Sequence, residues 1–76
     1  MNAMQITVRL HGILRDRLPV EAKGQTMLDL PDGATATNVI AALGLEGRYV
    51  HIARNEIMTD DFEIPLANED HIEVFL

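Results

Sequence analysis

The chain has 76 residues, of which 47% are hydrophobic, and its 12 acidic and 6 basic residues give a formal net charge of -6. This length suits one small domain with a packed core and argues against a disordered chain. The absence of cysteine excludes disulfides, thiolate metal ligands and a cysteine nucleophile, and the acidic balance disfavours nucleic acid as a partner.

No apolar run approaches the roughly 20 residues that a membrane-spanning helix needs. Residues Met1 to Met4 lack the basic region and apolar stretch of a signal peptide. We therefore expect a cytoplasmic protein with no membrane partner. Met4 is a candidate for the natural start, with residues 1–3 added during cloning.

The first two periodic segments predict strands. From Gln5 to His11, apolar residues alternate with polar ones, as in a half-buried strand. Gln25 to Leu30 alternates in the same way, with Thr26, Leu28 and Leu30 on one face, before Pro31-Asp32-Gly33 ends the strand. Between them, Ile13, Leu14 and Leu18 could line one helical turn, which Pro19 stops.

One helix is predicted after the second strand. Thr35 is a good N-cap, with Thr37 as the alternative. Gly44 suits the left-handed position just after the helix. At helical spacing, the apolar face between them consists of Ala36, Val39, Ile40 and Leu43.

The remainder of the chain predicts three further strands: Tyr49 to Arg54, a short return from Glu56 to Met58, and His71 to Leu76. Asn55 suits a tight turn between the first two, and Ile64-Pro65-Leu66 is interpreted as an irregular apolar plug. Placing the first and last strands side by side buries both in the centre of a sheet, with the helix across one face. The predicted architecture is α+β: a single β-grasp (ubiquitin-like) domain over residues 1–76, with a mixed sheet of four to five strands and one main helix.

Three segments resemble those of a known family, and the resemblance extends over nearly the whole chain, from Ile6 to Phe75. They are Leu30-Pro31-Asp32-Gly33-Ala34-Thr35 before the helix, Ile52-Ala53-Arg54-Asn55-Glu56 in the middle, and Pro65 to Phe75 at the end. Their order and spacing resemble the MoaD/ThiS family of sulfur carriers, which comprises the small subunit of molybdopterin synthase and the thiamine sulfur carrier.

The resemblance implies a protein that is a substrate and not an enzyme. In the family, an ATP-using partner adenylates the terminal carboxylate and sulfur then replaces AMP to give a thiocarboxylate. The expected partners are such an adenylating enzyme or a protein like the large subunit of molybdopterin synthase. No cofactor of the chain's own is implied.

Two positions depart from the family pattern. Glu69 stands where the family's last turn usually carries Gly, and Asn68 or an adjusted turn could compensate. The family's last strand also continues into a flexible arm ending in Gly-Gly, whereas this sequence ends at Leu76. Gly-Gly allows close backbone approach in a narrow site, so we expect no adenylate on a polypeptide that ends at Leu76.

Other candidate sites are weak. The three histidines, His11, His51 and His71, lack typical metal-ligand spacing, although His51 and His71 could be neighbours across strands. Asp60-Asp61 and Glu69-Asp70 are interpreted as solvated turns, because they lack the spaced acidic loop of a calcium site. We predict no metal site and no catalytic residue.

The sheet face opposite the helix is the predicted partner surface, and Thr7 should lie on it. The candidate partner-binding residues are Arg9, His51, Glu73, Phe75 and Leu76, with an exposed Phe75 as the anchor. Alternatively, Phe75 caps the sheet edge or mediates self-association, and two copies could form a homodimer through edge strands. Two other functions stay open: an arm-less β-grasp interaction module, and a detached regulatory domain of the same fold.

Overall fold

The computed structural model describes residues 3–76, and every structural statement below concerns this part of the chain. The expectations about a signal peptide and the natural start fall partly on residues 1–2, outside the described residues. Five strands and one α-helix are formed, together with 3-10 helices at Gly12–Arg17 and Val20–Ala22: β1 (Ala3–Leu10), β2 (Gln25–Pro31), α1 (Ala36–Ala42), β3 (His51–Arg54), β4 (Ile57–Thr59) and β5 (His71–Phe75).

The strands form one sheet in the order β2-β1-β5-β3-β4. β1 and β5 are parallel, whereas the pairs β1–β2, β3–β5 and β3–β4 are antiparallel. The predicted β-grasp fold, with the first and last strands side by side in the centre, is therefore confirmed.

Several strand boundaries differ from those predicted, because pairing partners and not periodicity decide where a strand ends. β1 begins at Ala3, since its pairing with β2 continues to Pro31. The third strand begins at His51 instead of Tyr49, because β5 ends opposite His51, at Phe75. For the same reason Leu76 is not part of the last strand.

The core lies between the sheet and α1. Alternate residues of the three central strands point towards the helix, and Ile6, Val8, Ile52, Ile72 and Val74 are each no more than 1% exposed. Val39 of α1 packs in the same cluster. A helix of 7 residues is too short to be stable alone, so burial of its apolar face against this sheet stabilises it.

Both ends of α1 carry the predicted caps. Thr35 is the N-cap, and its backbone N–H donates to Oδ1 of Asn38 at 2.8 Å. After the helix, Gly44 has a φ of 71°, and the N–H of Leu45 donates to the carbonyl of Ile40 at 3.0 Å. This Schellman geometry confirms the role of Gly44. Thr37 lies inside the helix, so the alternative cap was wrong.

Two predicted apolar segments lie partly on the surface. Leu14 is buried, but Ile13 is 66% exposed, so only part of the predicted turn packs inward. In the predicted plug, Leu66 is buried and Ile64 is 48% exposed. Val20, Met27 and Met58 all lie on the surface.

The turn before β5 is held by Asp70, the one polar residue among the buried residues described. Its carboxylate accepts hydrogen bonds from Arg54 Nε at 2.9 Å, the Asn55 amide at 3.0 Å and the Ala67 N–H at 2.9 Å. Arg54 Nη2 also lies 2.8 Å from the Asp70 carboxylate. These bonds tie the last turn to the β3–β4 hairpin.

Burial of Asp70 opposes ionisation and would raise its pKa. The hydrogen bonds from Ala67 and Asn55 and the nearby Arg54 guanidinium outweigh this effect, so the pKa lies below its ordinary value. The ionised carboxylate therefore stabilises the fold fully above the unfolded-chain pKa of about 3.9, and this stabilisation is lost as the pH falls through the folded-state pKa.

Asp70→Asn should lower the free energy of unfolding at neutral pH by about 2 kcal/mol, because Arg54 loses its buried partner. It should also flatten the fall in stability below about pH 4. Urea denaturation between pH 2 and 7 measures both effects. Asp32→Asn, in the exposed turn after β2, is the matched control and should leave the pH dependence intact. Equal pH profiles for the two variants would contradict this account.

The same turn contains Glu69, which stands where the family usually carries Gly. Glu69 itself adopts the left-handed conformation, with a φ of 70°, and its N–H donates to the carbonyl of Gln5 at 2.8 Å. Asn68 assists by accepting the Gln5 N–H at 2.8 Å. The turn geometry is thus one that favours glycine, and the exposed glutamate is strained in it.

Glu69→Gly should raise the free energy of unfolding by about 0.5 to 1 kcal/mol, because relief of the positive-φ strain exceeds the added freedom of the unfolded chain. Thermal and urea unfolding measure the change. Glu46→Gly provides the comparison, since Glu46 is exposed and lies outside the set of positive-φ residues. A stabilisation common to both variants, or absent from both, would refute the strain argument.

Candidate partner-binding face

The face of the sheet opposite α1 is open, and the strand registers place the predicted outward residues on it. Arg9 of β1 lies opposite Glu73 of β5, and Phe75 of β5 lies opposite His51 of β3. Directly paired residues share a face, and their neighbours along each strand are the buried core residues. Thr7 is on the same face, as expected.

Phe75 is only partly exposed, in contrast to the exposed aromatic that the sequence suggested. The reason is His11, which follows β1 and stacks on the Phe75 ring with centroids 4.5 Å apart and planes 15° apart. His11 Nε2 also lies 2.9 Å from Oε1 of Glu73. Phe75 therefore presents one face of its ring and not a free side chain.

A second ring pair lies on β3. Tyr49, just before the strand, meets His51 edge to face with centroids 5.4 Å apart, and His51 is directly opposite Phe75. His11, Phe75, His51 and Tyr49 thus form an aromatic row across one end of the sheet. Tyr49 is 83% exposed, so this row ends in an accessible amphipathic ring of the kind that is enriched at interfaces.

Two members of the row, His11 and Tyr49, were missed from the sequence. The sequence places His11 at the end of the first predicted strand, with a metal ligand as its one candidate role, and it places Tyr49 at the start of the third predicted strand. The signal for His11 was available: the alternation Thr7, Arg9, His11 continues the outward face past the end of β1. Tyr49 had the same signal, because it alternates with the outward His51, although the strand itself begins only at His51.

The other two candidates, Arg9 and Leu76, lie beside the row. Arg9 is exposed, and it is His11 that contacts the Glu73 carboxylate. Leu76 is 56% exposed and directly follows β5, which has β1 on one side and β3 on the other. Whatever follows β5 therefore leaves from the middle of the sheet, next to the aromatic row.

The structure does not bring His51 and His71 together. His51 pairs with Phe75 at one end of β5, and His71 pairs with Thr7 at the other. Asp61 accepts the Glu63 N–H at 3.0 Å in a local turn. In residues 3–76 no group of three or more potential ligands is close enough to hold a metal ion, and none of the helices is long and apolar enough to cross a membrane.

Two central parallel strands, a single helix across one face, and a last strand that ends at an aromatic row define a ubiquitin-like β-grasp protein. A model of the ThiS family matches residues 8–76. The chain belongs to the ThiS family, which confirms the resemblance seen in its turns.

Solved structures support the fold. The solution structure of the Haloferax volcanii HVO 2177 protein is similar with a TM-score of 0.77 and 22% identity, covering 96% of this chain and 82% of that one. The crystal structure of SAMP1 from Haloferax volcanii has a TM-score of 0.73 and 19% identity, covering 93% of this chain and 92% of that one. No curated protein matches the sequence.

The stacking of His11 on Phe75 should be measurable as a coupling free energy between the two residues. In a double-mutant cycle of His11→Ala and Phe75→Leu, we expect an interaction energy of about 0.5 to 1.5 kcal/mol in urea unfolding. The control cycle replaces His11→Ala by His71→Ala, an exposed histidine at the opposite end of β5. Coupling of similar size in both cycles would show that the stack does not position Phe75.

Proposed function

We propose that this protein is a sulfur carrier or a carrier-like protein of molybdopterin or thiamine biosynthesis. It acts as the protein substrate of an ATP-dependent activating enzyme, and it is not itself a catalyst. The observation that supports this best is the ThiS family match over residues 8–76, which includes the turns and the last strand. The proposal includes a cytoplasmic location and a single domain over residues 1–76.

The geometry suits this role because it presents the chain end at a fixed place. β5 is hydrogen-bonded on both sides, to β1 and β3, so the position of Phe75 is well defined. An arm continuing from Leu76 would begin at a rigid point and could enter a narrow partner site. A rigid root lowers the entropy lost when such an arm binds.

In this proposal the partner docks on the open face of the sheet, around the end of β5 where the arm would begin. Phe75 and His51 supply ring surface, Leu76 supplies an exposed aliphatic contact, and Arg9 and Glu73 supply charges of both signs. The partner is an adenylating enzyme or a protein like the large subunit of molybdopterin synthase. Both would need to reach the end of β5, and both can therefore share this face.

A second candidate is an interaction module that binds a protein partner through the same face without reacting at its terminus. The observation in its favour is the exposure of Tyr49 and Leu76, at 83% and 56%, which provides apolar contact area independent of any terminal chemistry. Pairing of two copies through an edge strand, β2 or β4, is part of this alternative.

Adenylation separates the two candidates. The chain that ends at Leu76 and a version extended by a short arm ending in Gly-Gly would each be incubated with ATP and a sulfur-carrier activating enzyme. Intact-mass spectrometry should show AMP added to the extended chain and not to the chain ending at Leu76, whose carboxylate lies one residue beyond β5.

The docking face is tested in the extended chain. Phe75→Ala should lower the adenylation rate at limiting carrier by at least tenfold, whereas Met27→Ala, on the same face but on β2 at the sheet edge, should have little effect. Failure of the extended chain to accept AMP while it still binds the enzyme would favour the interaction module. Equal effects of the two substitutions would remove Phe75 from the docking face.

A further inference from the structure

A separate groove lies on the helix side of the sheet, away from the aromatic row. It has a volume of about 280 Å³ and lies between β3–β4 and the segment of residues 60–66. Its floor is apolar and buried, formed by Ala36, Ile52, Leu66 and Ile72. Its walls include Ile57 and Ile64, which are 72% and 48% exposed.

The groove follows from how the chain leaves β4. β4 has only 3 residues, and residues 60–66 then cross to the start of α1. There Thr37 N–H donates to the Phe62 carbonyl at 3.2 Å, and Leu66 N–H donates to the Ala34 carbonyl at 2.8 Å. The segment is thus fixed to the helix side, and the groove lies between it and Ile57 of β4.

The size of the groove restricts what it can hold. Pockets for drug-sized ligands have volumes of about 300 to 1,000 Å³, whereas a cavity of about 150 Å³ is enough for benzene. A groove of about 280 Å³ falls below the first range and exceeds the second. It therefore suits one branched aliphatic side chain with part of its backbone better than it suits a free metabolite.

The net charge around the groove is negative. Residues 55–70 contain six carboxylates and no Lys, Arg or His. The one cation that lines the groove, Arg54, is paired with Asp70 at 2.8 Å. The segment of residues 60–66, which forms one rim of the groove, carries three exposed carboxylates, Asp60, Asp61 and Glu63, and Asp61 lines the groove itself. This rim therefore carries net negative charge.

We propose that this groove binds a segment of a partner protein in which an aliphatic side chain is flanked by lysines or arginines. The aliphatic side chain packs between Ile57 and Ile64, and the flanking cations contact the acidic rim. This complementarity favours a basic segment over an acidic one. The site lies on the opposite face of the sheet from the proposed docking face, so both can be occupied at once and neither proposal depends on the other.

The probe is the peptide acetyl-Lys-Lys-Ile-Lys-Lys-amide, titrated into the ¹⁵N-labelled chain and followed by NMR. Amide shifts should concentrate in residues 52–66, and affinity should fall at least fivefold between 20 and 200 mM NaCl because salt screens the rim. Two peptides serve as controls, one with Ser in place of Ile and one with Glu in place of every Lys. Each should bind at least fivefold more weakly.

Substitutions locate the site. Ile57→Thr should weaken binding of the peptide at least fivefold, whereas Ile13→Thr, an isoleucine of similar exposure at 66% in a different part of the chain, should not. Asp60→Asn with Asp61→Asn should weaken binding and its salt dependence, and Glu21→Gln with Glu46→Gln should do neither. Unchanged amide spectra outside the substituted positions confirm that each variant folds.

Three results would overturn the proposal. The first is amide shifts confined to the aromatic row, and the second is equal affinity of the peptide for Ile57→Thr and Ile13→Thr. The third is equal binding of the lysine and glutamate peptides, because it would remove the electrostatic selection on which the choice of partner rests.

Discussion

The parallel pairing of β1 with β5 is the constraint on which the other features depend. It brings the two ends of the described chain into the middle of one sheet, with Val8 beside Ile72 and Leu10 beside Val74. Because these residues are all buried, a one-residue slip of β5 would turn its apolar side chains to solvent and Glu73 into the core. The register is therefore strongly specified, and with it the place where β5 ends.

The two faces of the sheet have different roles because of that register. One face packs on α1 and forms the core. The other stays open and has at one end the aromatic row, where His11, beyond the last residue of β1, covers part of Phe75. In the function that we propose, this end is the point from which an arm would enter the activating enzyme.

The charged residues are unevenly distributed over the fold. The segment from Asn55 to Asp70 has no basic residue, whereas Arg17 and Arg48 line another cavity with Leu45, which follows the other end of α1. The acidic segment forms one rim of a groove whose walls are aliphatic. A small protein with two such surfaces on opposite faces of its sheet can be held by one partner while it is acted on by another.

The order of strands and helix, the caps of α1 and the family could all be read from the sequence, because they depend on local signals. Alternation of apolar residues marks a strand, Thr35 and Gly44 mark the helix ends, and the turn motifs recur at characteristic spacings. The outward positions of Arg9, Glu73 and Phe75 followed from the same period of two. These are properties of neighbouring residues, and they need no knowledge of what lies across the sheet.

Only the tertiary structure decided the contacts between distant segments. The stacking of His11 on Phe75, the convergence of Arg54 and Asn55 on Asp70, and the bond of Glu69 to Gln5 join residues whose pairing depends on the register of strands far apart in the chain. The groove beside β4 likewise exists because residues 60–66 bond to the start of α1. Local periodicity predicts the face of the strand on which a side chain lies. Which residue that side chain contacts depends on the position of a distant segment, and only the packed fold determines that position.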